Sequence, residues 1–343
     1  MSEIKIPLID DFRNRLFNAD YELLLDVDFG YFKSGIYGIS KELGVYDCLG
    51  QDSLSAEEIA KKLGCNAKAM KLLLDALVGL KVISKKGDGY CANQTSKMAR
   101  YYGYSWLGVK YNPHWRRFIE ILKGKKLKPY GLEGHEWGSL QEQMHFVMET
   151  LCGEFQGTLK LLEKERVFER IKSFVDIGGG HGLYSIGFCK TYPRLKGTVF
   201  DLPKTLEVTK MFLKAYNMEK KIDLIPGDIT KDELNGRYDM AFISNLALRA
   251  DEASFVTRKV YDALNEGGLL VIKDMSPIKD WSEAFYALAH EIEVLIEVGD
   301  IEEFSLTPTM QEYIDIMKDV GFREAKVLGW VIKGWNSMVM GIK

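Results

Sequence analysis

At 343 residues, with 46% hydrophobic and 28% charged side chains, the chain has an ordinary globular composition and the length for two domains with their own cores. Its formal net charge of -3 gives no general attraction to nucleic acid or to an anionic membrane. The five cysteines (Cys48, Cys65, Cys91, Cys152 and Cys189) form no C-x-x-C pair, so neither a zinc site nor a disulfide framework is implied, and no metal is expected.

The N-terminus, MSEIKIPLIDDF, carries acids early and lacks the basic start and apolar run of a secretory signal. The richest apolar stretch, Leu72 to Ile83, is broken by Asp75 and Lys81 and falls short of the roughly eighteen residues that span a bilayer. A soluble, cytoplasmic protein is expected. Phe12, Leu16, Tyr21, Leu24 and Leu25 recur at helical spacing and predict a helix over residues 10–32; a second is predicted over 37–49. Ser55 and Glu58 form a capping box that opens a short helix ending at Gly64, and another helix runs from Ala67 to Leu80. Residues 82–85 and 90–92, joined through Gly87-Asp88-Gly89, predict a hairpin.

Helix, turn, helix and hairpin is the order of a winged helix, which often meets DNA. Here the second helix offers only Lys68 and Lys71 as early cations and places Asp75 one turn later, so the basic stripe that phosphate contact needs is missing. Met70, Leu73, Leu74, Leu77 and Leu80 are read instead as core or partner-facing residues. From Tyr101 to Trp115 the chain is unusually aromatic, with rings suited either to a flat apolar ligand or to a domain junction. A basic loop over 123–129 leads to a helix over 140–165 that carries Met144, Phe146 and Met148.

The stretch Ser173 to Gly182, SFVDIGGGHG, is an apolar strand that includes Asp176 and runs into four glycines within five positions. Gly178, Gly179, Gly180 and Gly182 let the backbone turn tightly, and the following helix aims its unpaired N–H groups at the turn, which favours an anion. The spacing Gly178-x-Gly180-x-Gly182, followed by Leu183, lacks the late small residue of a dinucleotide fold, and no Gly-Lys-Ser or Gly-Lys-Thr follows to make a P-loop. A second strand over 197–200 ends in Asp201, a carboxylate able to accept both hydroxyl protons of a ribose. A third over 222–225 runs into Pro226-Gly227-Asp228, and a fourth over 239–243 ends at Ser244-Asn245. Three strand ends thus deliver Asp201, Asp228 and Asn245 to the edge where open α/β sheets bind ligands. A helix over 251–265, ended by Gly267-Gly268, precedes a fifth strand over 269–273. A helix over 282–298 and one opened by the Thr309/Glu312 capping box follow, and residues 324–332 and 336–342 predict a closing antiparallel hairpin.

VDIGGGHG, FDLP at Phe200 to Pro203, PGDI at Pro226 to Ile229 and NEGGLLVIKD at Asn265 to Asp274 together resemble the S-adenosylmethionine-dependent small-molecule O-methyltransferases of plants and bacteria. The resemblance implies an α/β fold with a seven-stranded doubly wound, Rossmann-like class I sheet and an N-terminal winged-helix domain. It implies a dimerisation domain over 1–110, connecting helices lining the substrate pocket over 111–165, and a catalytic domain over 166–343. It also implies S-adenosyl-L-methionine as cofactor, a small-molecule acceptor, a homodimer, and no nucleic-acid or membrane partner. The cofactor residues it points to are Asp176, Gly178, Gly180 and Gly182 at the methionine end, Asp201 and Leu202 at the ribose, Gly227, Asp228 and Ile229 at the adenine, and Ser244 and Asn245. Met144, Phe146 and Met148 fall where the family places substrate-facing residues.

One departure bears on mechanism. Family members often carry a histidine base soon after the fourth strand, but this chain reads SNLALRADEA from Ser244, with Ala247 or Leu248 at that place. The nearest substitute is His290, which shares a helical stripe with Tyr286, Glu293 and Glu297; the stripe faces either the substrate pocket or water, and periodicity does not choose between them. Without the base, C-methylation, other chemistry on the same cofactor, and a non-catalytic ligand-sensing dimer stand beside O-methylation.

Overall fold

The structure is a computed structural model and describes residues 6–17, 21–101, 109, 112–129, 140–246 and 248–343. Its contacts divide the chain into two units. One comprises Met1–Tyr21, Gly134–Lys279 and Thr307–Lys343, the other Glu22–Glu133 and Asp280–Leu306. Residues 280–306 thus group with Glu22–Glu133, and the residues before Glu22 group with the sheet.

In the second unit the capping box forms as its residues dictate, with Ser55 accepting from Glu58 N–H at 3.2 Å and Glu58 accepting from Ser55 N–H at 2.7 Å, and it opens the helix Ala56–Leu63. The helix Ala67–Gly79 and the hairpin β1 (Ser84–Lys86) and β2 (Gly89–Cys91) complete the helix-turn-helix-wing order. Asp75 is fully buried and accepts from Tyr90 O–H at 2.7 Å, Lys71 at 2.6 Å and Lys85 at 3.1 Å, so it ties the second helix to the wing. The helix expected over 10–32 starts only at Tyr21. Before it, Asp11 accepts from Arg13 N–H at 2.9 Å, a local side-chain turn that competes with helix. The next helix is Gly30–Leu43 and stops at Gly44, whose left-handed φ of 80° ends it ahead of Val45–Cys48.

The other unit is built on seven strands: β3 (Ser173–Ile177), β4 (Lys196–Asp201), β5 (Ile222–Pro226), β6 (Tyr238–Ser244), β7 (Leu264–Asp274), β8 (Lys326–Ile332) and β9 (Asn336–Ile342). They lie in the order β5-β4-β3-β6-β7-β9-β8. The first five are parallel, and β9 pairs antiparallel with both β7 and β8. Alternate strand residues enter two separate cores, Phe174, Val199, Phe242 and Val271 in one and Val175, Ile177, Ala241 and Ile272 in the other, so both faces are covered by helices. The strand order reverses between β3 and β6, and there the crevice of a doubly wound sheet opens.

Three element boundaries differ from expectation. The helix over 251–265 ends at Ala263, because β7 already begins at Leu264 and takes the two glycines into the strand. A 3-10 turn, Trp281–Glu283, precedes the helix Phe285–Val298. The helix over 140–165 is three pieces, Leu140–Glu149, a kinked turn Thr150–Glu154 in which Gly153 is not helical, and Phe155–Lys164. Among the described residues no helix is long and apolar enough to cross a membrane.

Candidate functional site

The glycine turn leaves β3 with Gly178 N–H donating to Phe200 O at 2.8 Å. Gly178, Gly180 and Gly182 have φ values of 68°, 55° and 76°, in the left-handed region that favours glycine. A Cβ on Gly180 would come within 2.6 Å of Gln143 Oε1, and one on Gly178 within 2.6 Å of Leu246, so packing also demands glycine there. Gly182 is the N-cap of the helix Leu183–Thr191, whose first N–H groups lie at the turn.

Asp201, at the end of β4, clamps this turn. Its Oδ2 accepts from Gly180 N–H at 2.8 Å and its Oδ1 from Leu202 N–H at 2.7 Å. Burial pushes its pKa above the ordinary carboxylate value, against the pull of those two N–H groups. Each oxygen keeps a second lone pair, so the clamp and two ligand hydroxyls can be served together. Beneath it Asp176 is buried, accepts from Ser185 Oγ at 2.8 Å, and is pushed up to about 7 by burial and by the nearby Asp201. His181 N–H donates to Gln143 Oε1 at 2.9 Å, and its Nδ1 accepts from Leu183 N–H at 3.1 Å. Burial lowers this imidazole to about 4, with Lys273 adding to the effect, so it is a neutral part of the turn.

Farther along the edge, Asp228 is absorbed in its own loop. It accepts from Thr230 N–H at 3.0 Å and Oγ1 at 2.6 Å and from Lys231 at 2.7 Å, and those bonds, Lys231 first, hold it at about 2. Lys259 closes the same loop by donating to Ile229 O at 3.2 Å and Asp232 O at 2.7 Å. Ile229 itself is buried in the core, whereas Leu202 is exposed.

At the switch point Asn245 adopts a left-handed φ of 52°. Its N–H donates to Lys273 O at 2.9 Å, and its Oδ1 accepts from Lys273 Nζ at 2.9 Å. The glycine turn, the Asp201 clamp and Ser244-Asn245 thus stand at the ends of neighbouring strands β4, β3 and β6, a polar edge suited to a nucleoside carrying an amino-acid end. Glu154, Gln143 and Lys259 support this edge without belonging to any motif read from the sequence, and Lys273 does so from within NEGGLLVIKD, where the motif gives it no role. Lys273 left one trace there, a charge closing the apolar run GGLLVIKD.

Residues 128–323 match the O-methyltransferase domain, and residues 26–103 match the O-methyltransferase dimerisation domain. This chain belongs to the O-methyltransferase family. An uncharacterized protein of Methanocaldococcus jannaschii is 35% identical to it over 52% of this chain and 49% of its own length. A 3-hydroxy-5-methyl-1-naphthoate 3-O-methyltransferase of Streptomyces sahachiroi is 26% identical over 94% of this chain and 95% of its own. In fold, the methyltransferase is similar to an O-methyltransferase family 2 protein from Planctomyces limnophilus solved as a complex with apigenin, with a TM-score of 0.76 at 17% identity, over 98% of this chain and 99% of that one.

The residues expected at the methyltransferase's acceptor pocket divide between the units. Met144 packs at the margin of one sheet core, and the Phe146 backbone hydrogen-bonds the His181 ring; the side chain of Met148 lies outside the described residues. In the other unit Tyr286 is half-buried, donates to Asp26 Oδ1 at 2.8 Å, and meets Phe29 edge-on at 5.3 Å. His290 is half-buried on the same helix, one turn before Glu293, whose Oε2 lies 2.9 Å from His114 Nε2. Its stripe is therefore neither freely solvated nor fully enclosed within its unit. Where a family base would stand, Leu248 is buried in the core and Ala247 lies outside the described residues.

Proposed function

We propose that the chain transfers a methyl group from S-adenosyl-L-methionine to a hydroxyl of a small, largely apolar or aromatic acceptor, and that it works as a homodimer. The observation that carries this reading is the Asp201 clamp on a left-handed glycine turn at the switch point of a seven-stranded sheet. Gly178, Gly180 and Gly182, with Asp176 beneath, would hold the methionine end, Asp201 with Leu202 the ribose, Gly227 to Ile229 the adenine side, and Ser244-Asn245 the neighbouring edge. When bound, the cofactor supplies a methyl group already activated on a sulfonium. An aromatic hydroxyl acceptor is supported by the naphthoate specificity named for the Streptomyces relative. Transfer to carbon, left open by the sequence, finds no support, since the matched domain and that relative are both named for transfer to oxygen.

With no histidine at the family's usual place, positioning carries the reaction. A general base typically contributes about 10²- to 10⁴-fold, whereas orienting two bound reactants reaches effective molarities of about 10⁵ to 10⁸ M. An acidic phenol needs only to be held in line with the sulfonium. His290 is the one histidine the sequence offers as a substitute base.

Calorimetry with S-adenosylmethionine tests the cofactor half. Asp201→Ala removes acceptors whose charge-assisted bonds contribute about 1.5 to 3 kcal/mol each, so affinity should drop by about tenfold or more. Unchanged affinity, or a parent protein that does not bind the compound, sinks the assignment. Transfer of labelled methyl to hydroxynaphthoates in a single turnover tests the rest. His290→Ala should retain activity within about tenfold of the parent, whereas a thousandfold loss with a vanished pH limb near about 6 to 7 would make His290 the base. Binding without transfer to any hydroxylated ring would favour a ligand-sensing dimer.

A further inference from the structure

Among the described residues of the unit that holds the sheet, the most deeply buried ion pair lies directly behind the switch point. Lys273 is 0% exposed, and its Nζ sits 2.8 Å from Glu154 Oε2, 2.9 Å from Asn245 Oδ1 and 3.3 Å from Ser244 Oγ. Glu154 comes from the kinked turn Thr150–Glu154 and is buried as well. Its Oε1 accepts from Trp335 Nε1 at 3.1 Å and from Asn336 Nδ2, and its Oε2 also faces Tyr184 O–H at 3.4 Å. The carboxylate is thus anchored by β9 and the turn before it, and it in turn anchors the ammonium.

An ammonium has three protons and no lone pair. Lys273 spends its protons on Glu154, Asn245 and Ser244, and because it can only donate, Asn245 must turn Oδ1 toward it and Nδ2 away. The amide cannot flip without setting two donors against each other. The backbone is held by the same residue, since Asn245 N–H donates to Lys273 O at 2.9 Å while Asn245 keeps its left-handed φ of 52°. One strand residue therefore sets both the main chain and the amide of the residue at the switch point.

Burying an ion pair costs desolvation that its attraction often only offsets, and apolar replacements of similar shape are commonly as stable. Stability alone gives no reason for a lysine here; orienting Asn245 does. We propose that Lys273, held by Glu154, is a positioning residue for cofactor binding, which fixes Asn245 so that its Nδ2 is presented as a hydrogen-bond donor to the methionine end of S-adenosylmethionine. This role rests on the cofactor assignment made above and adds to it a residue that is not among the cofactor residues the resemblance points to.

The test uses the full-length protein and S-adenosylhomocysteine, which keeps the contacts without turning over. Lys273→Met combined with Glu154→Gln removes the pair and leaves no lone buried charge. This double variant should still unfold cooperatively but bind S-adenosylhomocysteine about tenfold or more weakly, the share of one hydrogen bond to a charged group. Asn245→Asp, which exchanges the donor for an acceptor, should lose at least as much. With ¹⁵N labelling, the Asn245 side-chain amide resonance should move when the parent is titrated with S-adenosylhomocysteine and stay in place in the double variant, a signature that a purely structural pair would not produce. A double variant that binds within twofold of the parent, or a parent whose Asn245 amide ignores the ligand, overturns the proposal. Should the double variant fail to fold, Asn245→Ala decides alone, and binding within twofold again overturns it. A parent that does not bind S-adenosylhomocysteine at all refutes the cofactor assignment itself, a different outcome from normal binding by the variants.

Discussion

Beneath the glycine turn, two buried groups titrate in opposite senses. Asp176, pushed up to about 7, keeps its proton in the native state while the unfolded chain loses its own near pH 4, so stability falls as pH rises from about 4 and the loss is complete above 7. His181, lowered to about 4, stays neutral in the native state while the unfolded chain takes up a proton near pH 6.5; its contribution is present above about 6.5 and is lost as pH falls toward 4. At 1.36 kcal/mol per pKa unit each effect is on the order of 3 to 4 kcal/mol, and between about pH 4 and 6.5 they nearly cancel. Single variants should expose them. Asp176→Asn should make stability climb with pH over that range. His181→Asn, which keeps an acceptor for Leu183 N–H, should make it decline. Urea denaturation at pH 4.5 and 6.5 reads both, and flat profiles for the two variants would contradict the assignment. Asp201 and the glycines were legible in the chain because their chemistry is local to a strand end. The burial that sets these pKa values was not, and neither were the neighbours Ser185 of Asp176 and Lys273 of His181, which gain meaning only once helices and strands are laid beside the turn.

The helix over 140–164 is the element that brings remote residues to the site. It kinks at Thr150–Glu154, where Gly153 leaves helical geometry, and there Leu16 N–H donates to Leu151 O at 2.9 Å. Around this bond, Gln156 donates to Phe12 O at 3.2 Å and Asn14 O at 2.8 Å, and the buried Phe12 ring meets Phe155 at 5.2 Å and Tyr216 at 5.6 Å. The segment read as the start of an N-terminal helix is thus a strap on the unit that holds the sheet, packed against the turn that supplies Glu154. Phe12→Ala should cost about 3 to 5 kcal/mol through the cavity it leaves, seen as a lower urea midpoint at unchanged slope. A loss under about 1 kcal/mol would mean that the strap is not part of that core. The sequence carried Phe12 at helical spacing with Leu16, and that coincidence of period misled. Nothing local to residues 10–17 announces a docking site some 140 residues away in the chain.

For the molecule as a whole, the homodimer proposed above has a surface to account for it. Leu23, Leu24 and Val27 are 57–66% exposed on the first helix of their unit, at the edge of the segment that matches the dimerisation domain. Three exposed aliphatic side chains on one short helix ask for cover. Light scattering should give twice the chain mass at micromolar concentration, and Leu24→Glu with Val27→Glu should shift it toward the monomer; a parent that is monomeric under those conditions would sink the dimer.

The strands and the polar edge at which they end were legible in the chain, whereas the order of the strands in the sheet came from the structure. Parallel strands buried on both faces read as apolar runs, and the glycine turn after β3 and Asp201 at the end of β4 mark where two of them stop. The winged helix was legible for the same reason, its capping box and turn residues acting over three or four positions. Tertiary structure alone decided that Asp75 is a buried hub and not a surface acid, that residues 280–306 group with the N-terminal unit, and that Lys273 closing an apolar strand meets Glu154 from a distorted helix. A charge in an apolar run reads the same whether it ends in water or in an ion pair. Only its partner, about 120 residues away in sequence, settles which.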